Sequence, residues 1–467
     1  MKLIIFLFVL GKTTVIKAMI EFYMTRGIIC VPMATCGIAA NLLPGGRTVH
    51  YRLHAPIKMT EESLLKIKHN SPVAELVRKA TIFIIDEITM AHKHLIECID
   101  RSFRDLRECQ DKPFGGAIMI FSGDWMQCLP VVPMARRAEI TNSTVKASFL
   151  WREVKEFKLE TNMRILTAGQ ENKKYAKDLL DIGEGKTKVF PEHGEFAIKI
   201  PEEFKSKSSN LKEFALEVFA GIKDKVKQGL ANQLVQEEWD NFKKWMVQRA
   251  IICPRNDDVE EVNKIIMDEI DTQAHIYRSA DKLMHEEQGT KYTQEFLNGL
   301  TPASVPPHIL VLKEGSMIML IRNLDPQRGH VNGARYIVRS LKSKVILAEL
   351  AEGPNKGNQI AIPRILFNPE DPRIPIEWSR KQFPVKVCFG ITSNKSQGQT
   401  LKKIGIYLKN DFFGHGQLYV AMSRVGNPQC ITFFKPPPIT DDKKKKCKID
   451  PNQPLFVSNV VFKEVLS

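Results

Sequence analysis

The chain opens on an uninterrupted apolar run, Leu3–Leu10, followed by Gly11-Lys12-Thr13-Thr14 and then by apolar residues at helical spacing. A short run that is apolar on both faces predicts a buried strand, and the change of period predicts a helix over Thr14–Thr25. Ile28–Met33, Ile82–Ile85 and Ala117–Phe121 are further runs of the same kind. Fully apolar strands alternating with helices predict a parallel, doubly wound sheet covered on both faces. Between the last two runs, Leu95, Ile99 and Phe103 recur every four residues within His92–Glu108. That spacing predicts a helix with one core-facing stripe, leaving Arg101, Arg104 and Arg107 on its other face.

From about 165 to 235 the chain is rich in Lys and Glu with little alternation, which predicts a helical connection. A second α/β pattern then begins with a helix over Val235–Val247, a strand over Arg249–Cys253 and a helix over Asp257–Ile270. It resumes at Val385–Thr392, Ile404–Leu408 and Cys430–Phe434. In between, alternating runs such as Ser316–Ile321 and Tyr336–Arg339, punctuated by Gly and Pro, predict a small antiparallel barrel inserted into the second α/β domain. The expected division is therefore a first α/β domain over 1–165, a helical connection over 166–235, a second α/β domain from 236–295 and 384–435, the insert over 296–383, and a basic tail over 436–467.

Composition narrows the partners rather than the fold. The 467 residues suit roughly three domains. With 68 Lys and Arg against 53 Asp and Glu, the formal charge of +15 favours a polyanion such as nucleic acid. Nine cysteines with no C-x-x-C pair support neither a zinc site nor a disulfide framework, and they fit a reducing compartment. Met1-Lys2 with the following apolar run has the look of a short signal peptide, but no small-x-small cleavage site adjoins it, so a buried first strand is the expectation. No stretch reaches the ~20 apolar residues of a membrane span. A soluble intracellular protein is expected.

Three polar clusters follow buried strands in the first domain. Gly11-Lys12-Thr13, with Thr14 beside it, is the second half of a phosphate-binding loop. Helix N-terminal N–H groups face phosphate there, Lys12 neutralises β and γ oxygens, and the Thr13 hydroxyl holds Mg²⁺. The first Gly of that loop belongs five residues before Gly11, where Phe6 stands. Bulky and β-branched residues resist the positive-φ backbone of a phosphate nest. Ile82–Ile85 runs into Asp86-Glu87, a strand ending in paired carboxylates. Asp86 suits the Mg²⁺ shell and Glu87 the polarisation of an attacking water. Phe121-Ser122-Gly123-Asp124-Trp125-Met126-Gln127 is again strand then turn, with Gln127 able to sense a γ-phosphate. In the second domain, Thr392 through Thr400 forms a polar Gly-containing turn. Arg424 ends the segment Tyr419–Arg424, and Arg164 follows Asn162-Met163; either arginine can neutralise charge that develops in a transition state.

Taken together, these segments resemble the petite-integration-frequency (Pif-type) DNA helicases of superfamily one, most closely those carried by Helitron transposons. The matching stretches are Ala39–Thr48, Lys112–Gly116, Leu129–Pro133, Phe296–Asn298 with Leu300–Pro302, Arg322–Pro326, Asn394–Lys403 and Gly416–Val425. The resemblance runs from Gly11 to about Phe434. It implies two RecA-like domains that clasp ATP, an inserted barrel, and a 5′-to-3′ DNA helicase acting on single-stranded DNA and duplex junctions, in repair, recombination and telomere maintenance or in transposition. Carried over, Gly11, Lys12, Thr13, Thr14, Asp86, Glu87, Gln127, Arg164, Gly398 and Arg424 fall on ATP and Mg²⁺ positions. Thr35, Gly37, Thr48 and His50, with Ser396 and Gln399, fall on DNA positions.

The resemblance also implies a nuclear or mitochondrial monomer, and Lys443–Lys446 fits nuclear import. The family's upstream adenine-contacting segment is absent, and so is the first loop Gly. The expectation is a truncated amino end, and the alternative to an active helicase is a catalytically impaired remnant that still binds single-stranded DNA. A conjugative or recombination helicase is a third reading, disfavoured by Gly45–Thr48 and Phe296–Asn298.

Overall fold

Strand β4 (Ile82–Asp86) is buried along its whole length, and β5 (Ile118–Gly123) is buried from Met119 onward. Strands with no solvent face need cover on both sides, and these two sit at the centre of a sheet. With β1 (Ile4–Phe8), β2 (Cys30–Ala34), β3 (Arg47–Thr48) and β6 (Val154–Lys158) they form six strands in the order β3-β2-β4-β5-β1-β6. Every pairing is parallel. All carboxyl ends therefore lie on one edge, where such sheets bind ligands. The structure is a computed structural model that describes residues 4–8, 12–158, 170–232, 235–284, 292–302, 304–353, 355–369, 374, 376–437 and 453–466. Gly11, Arg164 and Lys443–Lys446 lie outside the described residues.

Helix α1 (Lys12–Met24) buries Ile16 and Ile20 against Ile82, Ile84 and Ile120. Helix α2 (Lys93–Leu106) buries Leu95, Ile99 and Phe103 on the other side of the sheet, as its spacing predicts. Its polar residues do more than face water. Asp100 accepts the Phe114 N–H at 2.6 Å and the Arg104 Nε–H at 2.9 Å, while Arg107 donates to the carbonyls of Val77, Ala80 and Gly115. These bonds fix the turn Phe114-Gly115, where both residues have positive φ. A Cβ on Gly115 would lie 2.6 Å from the Phe103 carbonyl oxygen, so only glycine fits. The turn in turn sets where β5 enters the sheet.

The chain divides into two compact units. The first comprises Met1–Lys199 together with Phe412–Pro428 and Phe456–Ser467. Thus Phe412–Pro428, which its position in sequence had suggested for the second α/β domain, packs with the first. The expected basic tail is also structured at its end. Val460, Phe462 and Val465 join the first unit's core, and Arg137 grips Glu464 with two bonds of 2.7 and 2.6 Å. An apolar stretch placed after a charged run reads as a tail in sequence, yet it completes a core.

The second unit carries a parallel sheet of Gly390–Thr392, Arg249–Cys253, Lys403–Tyr407 and Ile431–Phe434, in that order. Its insert is antiparallel. Gln359–Pro363, Val345–Leu350, Arg335–Leu341, Met317–Leu320 and Val385–Val387 make five strands, with shorter ribbons beside them. The run Val385–Thr392 accordingly breaks in two. Val385–Val387 completes the antiparallel sheet, and only Gly390–Thr392 enters the parallel one. The connection over 166–235 is helical at Gln170–Gly183, Leu211–Val218 and Ile222–Ala231, with a strand at Ala197–Ile200. The fold class is α/β, two RecA-like parallel sheets with an antiparallel insert. Among the described residues no helix is long and apolar enough to cross a membrane.

Buried charge joins the insert to its parent. Glu349 accepts from Trp239 Nε1 and Arg339 Nη1, each at 2.9 Å, and from Lys243. Lys243 is only 3 % exposed. Removing the carboxylate leaves that ammonium buried without its principal partner, which is costlier than never having buried it. Glu349→Ala should therefore lower the unfolding free energy by about 3–5 kcal/mol. Urea titration of the two proteins checks this, and equal midpoints would show the network to be dispensable.

Candidate active site

The carboxyl edge of the first sheet gathers ionisable groups from three strands. Lys12 is the first residue of α1 and only 8 % exposed. Its Nζ lies 3.6 Å from Glu87 Oε1, too far for a hydrogen bond. Burial works against its charge, but the fields of Glu87, Asp86 and Asp124 outweigh that and hold the ammonium above its ordinary pKa. Burial acts the other way on Asp86, holding its carboxyl above the usual range despite Lys12. A divalent cation at Asp86 would reverse that.

Glu87 follows the strand with φ +56° and ψ +37°. A left-handed backbone at a non-glycine residue costs about 1–3 kcal/mol and persists only where neighbours enforce it. Here the neighbour is Thr35. Its N–H donates to the Asp86 carbonyl at 3.1 Å, and its hydroxyl donates to the Glu87 carbonyl at 2.7 Å. A residue expected at the DNA thus holds the backbone of the expected water-activating carboxylate.

Asp124 organises the third strand's turn. Its Oδ1 accepts the Met126 N–H at 3.0 Å, and its Oδ2 accepts Gln127 Nε2 at 2.9 Å and the Tyr419 hydroxyl at 3.1 Å. Gln127 therefore presents its buried carbonyl oxygen, an acceptor, toward the edge. An acceptor suits a water proton; contact with a phosphate oxygen needs the amide to leave Asp124. Among the described residues, Lys12 Nζ and Gln127 Oε1 are buried without hydrogen-bond partners. Orphaned polar atoms of this kind fit a triphosphate, its cation and water.

Sequence reasoning missed how closely Gly416–Arg424 joins this turn. Besides the Tyr419 bond, a Cβ on Gly416 would lie 2.3 Å from the Met126 carbonyl oxygen, and one on Gly183 would lie 2.7 Å from Met126 Sδ. Tyr175 donates to the Met422 carbonyl at 2.8 Å. Arg424 is buried, its Nε donating to Val420 and its Nη2 to Ser423. His415 was missed altogether. Its Nε2 lies 2.7 Å from the Trp125 carbonyl oxygen, and its Nδ1 accepts the Phe462 N–H at 2.8 Å. Those partners require a neutral ring protonated at Nε2. The signal available in sequence was only its place beside Gly416.

Thr48 caps the helix Val49–Arg52, paired beside β2, and Gly37 opens the helix Gly37–Leu42. Thr35 and His50 line one cavity of about 410 Å³ with His92 and Pro133. Thr13 is half-buried and Thr14 exposed. In the second unit Gly398 has φ +78°, the Ser396 hydroxyl donates to the Ser393 carbonyl at 2.7 Å, and Gln399 Nε2 donates to the Lys395 carbonyl at 3.0 Å. Ser396 is fully buried in that turn.

The family model "PIF1-like helicase" matches residues 7–192, and "DNA helicase Pif1, 2B domain" matches 295–341. The ATP-dependent DNA helicase PIF1 of Xenopus laevis is 24% identical over 84% of this chain and 53% of its own length. ATP-dependent DNA helicase PIF6 of Trypanosoma brucei brucei is 26% identical over 95% and 52%. The chain spans about half the length of these relatives. Among solved structures, the Pif1 helicase from Bacteroides in complex with ADP-AlF3 and ssDNA is 25% identical with a TM-score of 0.65, covering 92% of this chain and 88% of that one.

The neutral His415 makes a pH prediction. Burial lowers its pKa, with Arg137 acting the same way and the Trp125 bond, Asp124 and Glu464 opposing. The native state then binds fewer protons than the unfolded chain below about pH 6.5, so stability falls as pH drops through that value. The Phe462 amide should exchange faster at pH 5.5 than at pH 7.5 beyond the intrinsic rate change. Replacing His415 by Gln, which keeps a donor and an acceptor, should flatten that difference. Unchanged protection across the range would remove the imidazole from this role.

Proposed function

We propose, from the premise that this chain belongs to the PIF1-like helicase family, that it is an ATP-dependent DNA helicase which couples hydrolysis to movement along single-stranded DNA. The observation carrying this reading is the convergence of Lys12, Asp86, Glu87 and Gln127 at one sheet edge, with Lys12 Nζ and Gln127 Oε1 buried without hydrogen-bond partners. Lys12 neutralises phosphate oxygens. Glu87, fixed by Thr35, orients a water and takes its proton as the water attacks phosphorus. Asp86 and the Thr13 hydroxyl would hold Mg²⁺, which would supply charge neutralisation on the phosphates. Gln127 accepts from the same water, and Arg424 or Arg164 offsets charge that grows in the transition state.

The Thr35 bonds give a physical route from strand to chemistry. DNA that shifts Thr35 shifts the backbone of Glu87. Thr35, Gly37, Thr48 and His50 form the first unit's DNA side of this reading, and Ser396 and Gln399 the second's, with Gly398 assigned to nucleotide. The finer features are 5′-to-3′ polarity, action at duplex junctions, Helitron-type lineage, and nuclear or mitochondrial work in repair, recombination, telomere maintenance or transposition. They are supported by the segments Ala39–Thr48, Phe296–Asn298 and Asn394–Lys403. The +15 charge supports a DNA affinity that falls steeply with salt.

DNA-stimulated phosphate release is the test. Glu87→Gln should retain nucleotide binding and lose hydrolysis by about 10²–10⁴-fold, the usual worth of a positioned general base. Wild-type turnover in that variant would take Glu87 out of the mechanism.

One observation favours impaired nucleotide binding as a second reading. Phe6, where the phosphate loop has its first Gly, lies inside β1, paired with Phe121 and Glu156, and the strand continues to Phe8. Extended backbone cannot converge its N–H groups on phosphate. Each lost charge-assisted hydrogen bond costs roughly 1.5–3 kcal/mol. Exchanging residues 6–10 for a Gly-Pro-Ala-Gly-Thr loop should therefore raise ATP affinity by about tenfold to a hundredfold. Micromolar ATP binding by the unaltered chain would dispose of this second reading.

A further inference from the structure

A cavity of about 400 Å³ in the second unit has no part in the chemistry above. It lies between the helix Asn256–Glu269 and the strands Ile309–Lys313, Met317–Leu320 and Val385–Val387. Its volume falls at the low end of the roughly 300–1,000 Å³ of small-ligand sites. The walls are mainly aliphatic and thioether: Val259, Met267, Met319 and Val387 line it, and Ile309 and Val311 form its lip. Ile309 and Val311 are 51 % and 39 % exposed, a pair of large apolar side chains left in water beside an opening. Ile276, paired with Val311 across the ribbon, extends that exposed strip at 59 %.

The charged part of the lining is mixed with a cationic excess: Lys264, Lys386 and Lys395 against Glu260 and Asp268. Lys386 and Lys395 both line the cavity. Burial lowers the pKa of Lys386, and the field of Lys395 lowers it further, while Glu260 opposes from the helix. Two ammonium groups that repel at the mouth of an apolar hollow select a flat or compact apolar body carrying an anion. Position then narrows the class. Lys395 immediately precedes Ser396, and Thr392, four residues before Ser396, also lines the cavity. A strand running along the turn Thr392–Thr400 passes the opening within one residue.

We infer that this cavity receives one unstacked nucleobase of the bound strand, its phosphate held at Lys386 and Lys395. The inference rests on the single-stranded-DNA reading proposed above and deepens it. Aliphatic and thioether walls grip any base face, and Asn256 and Thr392 are the lining groups that could meet its edges. The cavity also separates one base from its neighbours, so each advance of the strand must empty and refill it.

The experiment is an abasic scan. A short deoxythymidine oligonucleotide with a single abasic site at each position in turn is titrated by fluorescence anisotropy against wild type and Val311→Trp, which fills the lip. Wild type should lose about three- to tenfold in affinity at one register, a share of what stacking one base is worth. Val311→Trp should bind intact and abasic strands alike. As an independent readout, 4-thiothymidine at that register should crosslink to Ile309–Lys313 or Met319. A uniform abasic profile, a Val311→Trp protein that keeps the wild-type loss, or crosslinks confined to other segments would overturn the inference while leaving DNA binding in place. Failure of wild type to bind any oligonucleotide would bring down the DNA reading and this inference together.

Discussion

Three buried carboxylates and one buried ammonium share the carboxyl edge of the first sheet, and most of what the first unit does follows from that imbalance. Asp124 is satisfied by three donors. Asp86 accepts the Glu87 N–H at 2.9 Å, and Lys12 Nζ stands 3.6 Å from Glu87 Oε1, too far for a hydrogen bond. Counted formally, three negative charges against one positive leave two uncompensated. A divalent cation at Asp86 would offset that excess and keep the carboxyl ionised despite its burial. The parallel sheet makes the imbalance possible, since only a single hand of strand ends brings β1, β4 and β5 to one place.

Around that centre, rigidity is supplied by main-chain contacts rather than by the reactive side chains. Thr35 holds the left-handed Glu87 through two carbonyls. Glycine at 416 and 183 lets the helix Gln417–Met422 and the helix Gln170–Gly183 close on Met126. Asp124 joins Gln127 to Tyr419, so a glutamine that turns toward phosphate loosens a bond shared with the segment bearing Arg424. Such shared acceptors are how a small local change reaches a second element.

Much of this was legible in the sequence, for definable reasons. Apolar runs on both strand faces gave the parallel sheets, and Asp86, Glu87, Asp124 and Gln127 stood at their carboxyl ends, the edge where such sheets bind ligands. Short-range patterns carry that information. What escaped was long-range. Nothing local marks His415 as a ligand of the Trp125 carbonyl, or Tyr419 as a partner of Asp124 some 295 positions away. The run Val385–Thr392 is interrupted only by Lys386 before its terminal Thr392, and so short a pattern had no means to reveal that it serves two sheets. The arginines of α2 read as a solvated face because side-chain to carbonyl bonds leave no periodic trace.

The discontinuous first unit has a consequence for synthesis. Arg137 and Glu464 close its core from 327 positions apart. At ribosomal rates of 5–20 residues per second, the first sheet waits roughly 15–65 s between translation of its own strands and arrival of the segment carrying Val460, Phe462 and Val465. During that interval the second unit, continuous except for one excursion, emerges and can fold while part of the first unit's apolar core stands open to chaperones. The half of the molecule that is made first is thus the half that finishes last.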